Sequence, residues 1–243
     1  MILLLTGCID PDGMTYTALS SPEERQRQYV EAIRFYLART HYPVVFAENS
    51  GTDISHLFSS EIKSGRLEFL TFHGNHAKDR GKGYGECEIL EHALQHSHII
   101  QHSPRQRIAK ITGRLKVRNI NAVSRWHTLL TTRMTTLFSI NSDMSFPDSR
   151  LMIAPKEFYQ AFLTAKDSID DSRGYYFEHA LIDTLIRERR FSWSPFFIMP
   201  QIQGMSGSTG QQYVEGSPSL YFRLRYARYG LHQLLLFCRK FRC

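Results

Sequence analysis

The 243-residue chain contains no run of 18 apolar residues, so no segment has the length of a membrane-spanning helix. Cysteine is scarce. The four residues, Cys8, Cys87, Cys238 and Cys243, match no zinc-ligand spacing, and no secretion signal supports disulfides. Reduced thiols in a cytoplasm follow. The apolar start, Met1-Ile-Leu-Leu-Leu, lacks a basic flank and meets Asp10 soon after, which reads as a first buried strand rather than a signal peptide. The phosphate-loop spacing GxxxxGK[ST] is absent, as is a dinucleotide fingerprint after the first strand. There is no HExxH, no GxSxG elbow, no Cys–His signature and no kinase motif set, so hydrolase and kinase readings have no starting residue. No internal repeat is found.

What is present begins with charge. The net charge is +7. Six cations, Arg223, Arg225, Arg228, Arg239, Lys240 and Arg242, fall in residues 221–243 with no Asp or Glu among them, which leaves 7 − 6 = +1 for residues 1–220. A nearly neutral body with a basic end argues against a nucleic-acid-binding protein and for an adhesive segment that meets an anionic membrane surface or an acidic partner. Its aromatic and leucine residues, Tyr221 through Phe237, suit an interfacial helix, and a core-packed helix with a basic edge is the structural alternative.

Hydrophobic patterning predicts strands and helices in alternation. Strands are expected at 2–7, 43–47, 67–72, 108–117, 150–154 and 196–199; helices at 20–39, 53–60, 84–95, 155–164 and 175–189, with mixed signals over 123–140. That order gives an α/β fold, a mostly parallel (mixed) sheet flanked by helices on both faces. Three segments follow: a catalytic domain over 1–203, a flexible polar loop over 204–220 and a basic aromatic helical extension over 221–243. Ligands of such sheets sit beyond the carboxyl ends of the strands.

Several groups fall at those ends. Thr6-Gly7 closes the first strand. Glu48-Asn49-Ser50 closes the second and offers an acid, an amide and a hydroxyl to a base or ribose, or forms an ordinary turn. Gly81-Lys82-Gly83-Tyr84-Gly85 opens a helix, where backbone N–H groups and a lysine favour an anion, or is simply a flexible helix start. Gly113-Arg114 ends a β-branched strand, and Arg114 suits a phosphate or a structural ion pair. Glu178 stands among aromatics at a helix start, where burial raises a carboxyl's pKa and suits it to base work; the helix dipole alone also favours an acid there, and His179 is its neighbour. Asp148 and Arg150 are candidates for acceptor or phosphate contact, or for a turn. His92, His96, His98 and His102 cluster without a metal motif, and Asp10-Pro11-Asp12 reads as a turn.

The ordered segments ILLLTG, RQRQYVEAIRFYL, VVFAENSG, GKGYGE, KITGRLKVRN, DSRLMIAPKEFY and YYFEHAL, over about residues 1–185, resemble bacterial GT-A-type glycosyltransferases of capsule, O-antigen or lipopolysaccharide synthesis. The resemblance implies transfer of a sugar from a nucleotide-activated donor to a glycan or lipid-linked glycan acceptor. It places Thr6, Gly7, Glu48, Asn49 and Ser50 toward the nucleotide, and Lys82 and Gly83 beside the base, ribose or phosphates. Gly113 and Arg114 take the place of the family's acidic metal motif, and Glu178 that of a carboxylate base. With no DxD at the end of the 108–117 strand, Mg²⁺ or Mn²⁺ is not required by the sequence, and Lys82 with Arg114 can stabilise a leaving phosphate instead. The other readings are a nucleic-acid-binding protein and a non-catalytic envelope-assembly scaffold. The implied location is cytoplasmic, peripheral on the inner face of the membrane.

Overall fold

A computed structural model describes residues 1–12, 19–141, 146–206, 210–213, 228 and 231. In chain order the elements are β1 (Ile2–Gly7), α1 (Pro22–Arg39), β2 (Val44–Glu48), α2 (Ser59–Lys63), β3 (Leu67–Thr71), α3 (Lys82–His96), α4 (His98–Gln101), β4 (Arg107–Thr112), β5 (Lys116–Val117), α5 (Ile120–Leu130), β6 (Thr135–Leu137), β7 (Leu151–Pro155), α6 (Lys156–Leu163), α7 (Phe177–Arg187), β8 (Ser192–Ser194), β9 (Ile202–Met205) and β10 (Gln212–Tyr213). Seven strands form one sheet in the order β3-β2-β1-β4-β7-β6-β8. The first four are parallel, β7 is antiparallel to both its neighbours, and β6 and β8 are parallel. The expected α/β class, a mostly parallel mixed sheet flanked by helices, is what the chain forms.

The sheet is buried on both faces, which explains why β1 reads as an unbroken apolar run. Leu4 joins Val45 and Ile108 against α3, α6 and α7. Leu3 and Leu5 join Val44 and Phe46 against Tyr29, Ile33 and Tyr36 of α1 and Ile120 and Val123 of α5. Alternate residues of a strand face opposite sides, so one sequence run feeds two cores. Helix α1 starts as its sequence implies: Ser21 caps it by accepting from the Glu24 N–H, with Pro22 in its first turn.

Register delivers the candidate site. Gly7 lies opposite Glu48, and Thr6 opposite Thr112, so β1, β2 and β4 end at one edge. Because β7 runs the other way, with Leu151 opposite Ile111, its leading residues Ser149 and Arg150 arrive at that same edge.

Three expectations need correction. The strand expected over 108–117 breaks after Thr112. There the Gly113 N–H donates to the Thr6 carbonyl (2.8 Å), Leu115 N–H closes a turn onto Thr112 (2.8 Å), and the Tyr36 hydroxyl, which donates to the Leu115 carbonyl and accepts from Val117 N–H (both 2.8 Å), fixes the new direction. A Cβ at position 113 would stand 2.6 Å from the Thr6 carbonyl oxygen, so only glycine allows this approach. The last strand of the main sheet is β8, not 196–199: Pro195 and Pro200 flank the latter segment and cannot donate to a ladder, and Phe196 packs into the core instead. The segment expected as a loop from 204 is a hairpin where it is described. β9 pairs antiparallel with β5 and with β10, burying Ile202. Over 123–140 the mixed signal resolves into α5, which starts at Ile120, and β6. Of the 221–243 extension, Arg228 and Leu231 alone fall among the described residues; both are helical and exposed.

Candidate functional site

At the shared strand edge lies a cavity of about 480 Å³, within the range of small-ligand sites. Its walls come from the ends of β1 and β4, the start of α3, the approach to β7, the start of α7 and the β9–β10 hairpin. Thr6, Gly7, Asn49, Lys82, Gly83, Arg114, Arg150 and Glu178 line it. The structure therefore brings together eight of the residues singled out from sequence.

The remaining four stand behind the wall. Glu48 is fully buried. Its carboxylate accepts from the N–H groups of Ile9 (2.9 Å), Ser50 (2.8 Å) and Thr52 (3.1 Å), from the Thr71 hydroxyl (3.0 Å) and from the Ser50 hydroxyl. Both oxygens are consumed in tying the turn after β1 to the turn after β2, which leaves neither for a ribose. Ser50 spends its hydroxyl on Glu48 and also accepts from Asp10 N–H (3.1 Å). Gly113 contributes only the close approach described above. Asp148 makes a two-pronged ion pair with Arg150 (2.8 and 2.6 Å) and so orients that guanidinium.

One side of the cavity is cationic. Arg25 and Arg114 are 7% and 6% exposed. Arg25 donates to the carbonyls of Cys8 (2.7 Å) and Leu19 (3.1 Å) and to the Tyr29 hydroxyl (3.4 Å). Arg114 donates to Gln28 Oε1 and to the Met205 carbonyl (3.2 Å each), and its buried Nε has no hydrogen-bond partner. Among the described residues neither arginine forms an ion pair. Two guanidiniums this deep without a carboxylate are costly unless an anion completes them. Lys82 joins them: burial, then repulsion from Arg25 and Arg114, brings its pKa down to about 8 from 10.5, against an opposing pull from Asp171.

The glycine turn does not offer its helix end freely. Asp171 accepts from the Gly83 N–H (3.1 Å) and so occupies the N-terminus of α3 that the sequence assigned to a ligand anion. Gly81, at φ +92°, admits this arrangement, since a Cβ there would sit 2.5 Å from the Asp171 side chain. Burial raises the Asp171 carboxyl, with the Gly83 and Lys82 backbone N–H groups opposing.

The facing side carries Glu178 near the start of α7. Burial raises its pKa, a hydrogen bond from the Ser149 hydroxyl (2.6 Å) lowers it, and the charges of Lys110 and Asp171 pull in opposite directions. Beneath it lies a chain that sequence reading missed. Lys110, buried in the middle of β4, contacts Glu86 (2.6 Å) and donates to the Ser149 carbonyl (2.9 Å); Glu86 also accepts from the Thr6 hydroxyl (2.7 Å). Thr6, Glu86, Lys110, Ser149 and Glu178 thus form one continuous network. The available signal was a lysine inside the apolar run Ile108-Ala-Lys-Ile, where a charge demands a partner. Asp171, Arg25 and Tyr213, which stacks under Arg150 at 4.5 Å, were missed too.

The position after β4, where the resemblance puts an acidic metal motif, holds Gly113 and Arg114. Among the described residues no three His, Cys, Asp or Glu side chains converge as metal ligands. A glycine and a cationic arginine at that position do not fit a divalent ion. The histidines of α3 instead make ring contacts: His92 stacks on Phe72 at 4.0 Å and meets His96 at a tilt, 4.4 Å away.

No protein-family model and no curated protein sequence matches the chain. Solved structures do. A cytidylyltransferase from Leptospira borgpetersenii matches at 13% identity and TM-score 0.41, over 80% of this chain and 75% of that one. Mouse xyloside xylosyltransferase 1 in its apo form matches at 8% identity and TM-score 0.43, over 80% and 83%. The galactosyltransferase LgtC, in complex with donor and acceptor sugar analogues, matches at 7% identity and TM-score 0.45, over 80% and 73%.

Proposed function

We propose that this chain is a GT-A-type glycosyltransferase that moves a sugar from a nucleotide-activated donor to a growing cell-surface glycan, of capsule, O-antigen or lipopolysaccharide kind, at the cytoplasmic side of the membrane. The observation that carries the reading is the polarity of the pocket. Buried arginines that have no carboxylate partner among the described residues line one side, and a carboxyl with a raised pKa lines the other. The donor's phosphates lie against Arg25, Lys82 and Arg114, and the acceptor hydroxyl lies at Glu178. As the acceptor oxygen bonds to the anomeric carbon, the bond from that carbon to the phosphate oxygen breaks. The acceptor proton passes to Glu178, and the electron pair leaves with the nucleotide, whose negative charge the cations offset.

Each residue's placement has a consequence. A raised pKa makes Glu178 a stronger base than an exposed carboxylate, and Ser149 holds one of its oxygens so that the other is presented. Asp148 aims Arg150 into the pocket from the β7 side, where it suits the acceptor. Asn49 is buried at the β2 end with its Oδ1 unpartnered, an acceptor suited to a donor N–H of the nucleotide base. Glu178→Gln keeps the shape and removes the base. Transfer is expected to fall by roughly 10²–10⁴-fold while donor affinity stays within about twofold of the parent. Near-normal turnover by that variant removes Glu178 from the role.

A further inference from the structure

Away from the pocket, α5 presents an apolar stripe that nothing described in the structure covers. Its inner face, Ile120, Val123, Ser124 and His127, is buried. On the outer face Trp126, Leu129 and Leu130, spaced i, i+3, i+4, are 48%, 69% and 53% exposed. Phe197 extends the stripe: its ring packs on His127 at 5.3 Å and it too is partly exposed. A tryptophan and two leucines held in solvent on one helix face mark a contact surface.

The surroundings say what kind. From His92 to Ser142 the sequence has no Asp or Glu. Exposed arginines surround the stripe: Arg118 just before the helix and Arg125 within it. Arg133 lies beyond its end and donates to the Pro104 carbonyl (3.1 Å), which brings Arg105 to that end as well. The Asn121 side chain donates to the Arg39 carbonyl (2.8 Å) and adds the last turn of α1 at the other end. Arg107 ties Thr131 to the start of β4 with a 2.9 Å bond, so the cationic rim is built into the fold. Two acids reach its edges among the described residues, Glu157 paired with Arg133 and Glu31 paired with Lys116. A cationic rim repels the chain's own 221–243 segment, which carries six cations and no acid. It complements an anionic sheet of charge.

We propose that the outer face of α5 is a second, independent membrane-docking surface, in which Trp126, Leu129 and Leu130 enter the headgroup layer of an anionic bilayer while the surrounding arginines meet lipid phosphates. Tryptophan favours this depth, and arginines near an anionic leaflet are attracted over about a Debye length. This inference does not depend on the reaction in the pocket.

The protein carries its own reporter. It has two tryptophans, and Trp193 is buried with its indole N–H on the Phe138 carbonyl (3.2 Å), so an emission change on docking belongs to Trp126. The full-length chain is titrated with phosphatidylcholine vesicles carrying about a quarter phosphatidylglycerol, with and without bromine-labelled acyl chains. The expected result is a blue shift, quenching by the brominated lipid, and loss of both in Trp126→Phe. Partitioning falls by about tenfold or more in a Leu129→Ser, Leu130→Ser variant and is weakened by about 0.5 M salt. Vesicle binding that leaves Trp126 emission unchanged, or that the serine variant retains, overturns the proposal and assigns the contact elsewhere, residues 214–243 first. Absence of vesicle binding also overturns it, as does a concentration-dependent dimer that the serine variant abolishes.

Discussion

Glu48 and Glu178 stand at the same edge of the same sheet, one closing β2 and the other opening α7, and their surroundings differ in every respect that matters for chemistry. Glu48 has five donors around its two oxygens, two adjacent turns held in place, and no access to the cavity. Glu178 has one side-chain donor, from Ser149, and faces the cavity. A fully satisfied carboxylate lowers the energy of the fold. An under-satisfied one that faces a cavity is what the proposed base role requires. The arginines repeat the contrast. Arg150 is paired with Asp148, whereas Arg114 keeps a buried Nε without a partner.

Matched substitutions turn this contrast into a measurement. Glu178→Gln is expected to lose the most activity, the roughly 10²–10⁴-fold given above, with the melting temperature unchanged or raised. The sign follows from the direction of its shift. A carboxyl whose pKa is raised by folding contributes stability present below its unfolded pKa and lost as pH rises through its folded pKa, so above the folded pKa the ionised group is a burden that glutamine removes. Glu48→Gln should do the reverse. It puts an amide where donors converge and costs about 1.5–3 kcal/mol or more, seen as a melting point several degrees lower, with chemistry impaired far less than by the Glu178 change. Equal kinetic loss from both would erase the distinction.

Arg114→Gln sharpens the second contrast. Loss of a charge-assisted contact to phosphate should weaken donor binding by about ten- to a hundredfold, while Arg150→Gln acts mainly on the acceptor KM. Calorimetric titration of the donor, with initial rates over an acceptor series, separates the two. Lys110→Met removes the cation between Glu86 and Ser149. The expected destabilisation is below the ~3–5 kcal/mol typical of one partner lost from a fully buried pair, because Glu86 keeps some solvent contact. Denaturant unfolding reads it.

The smallest effect concerns Lys82. Its pKa of about 8 means that the free protein begins to lose this proton just above neutrality. Stability on its account rises with pH from about 8 toward 10.5, since the unfolded chain binds the proton more tightly there. A bound phosphate restores the proton. Donor binding near pH 8 should therefore take up a fraction of a proton, measured as a dependence of binding enthalpy on the ionisation enthalpy of the buffer. Lys82→Met should abolish that dependence.

The parallel core was legible because a sheet covered on both faces writes itself as apolar runs, and α1 because Ser21-Pro22 and its apolar stripe agree. The strand-end location of the pocket followed from that order. What stayed hidden was satisfaction. Sequence gives the residue type at Glu48 and at Glu178 alike, and the count of donors around each depends on register: the pairing of Gly7 with Glu48 brings Ile9 N–H onto Glu48. Asp171 stayed hidden for the same reason, since its cap on α3 joins residues 88 apart in the chain. The hairpin of β9 and β10 was masked by glycine and serine, which read as a loop, although Ile202 supplies its buried anchor.

The central claim, that this pocket binds an activated sugar through its cations, is tested most directly by titrating the protein with UDP-, GDP-, dTDP- and CMP-sugars while following its melting temperature, in EDTA and in Mn²⁺. Binding to the folded state raises that temperature by mass action. The account predicts that one nucleotide class raises it, that the rise persists in EDTA, and that Arg114→Gln reduces it. A protein whose melting is unmoved by every donor, or moved only when Mn²⁺ is present, contradicts it.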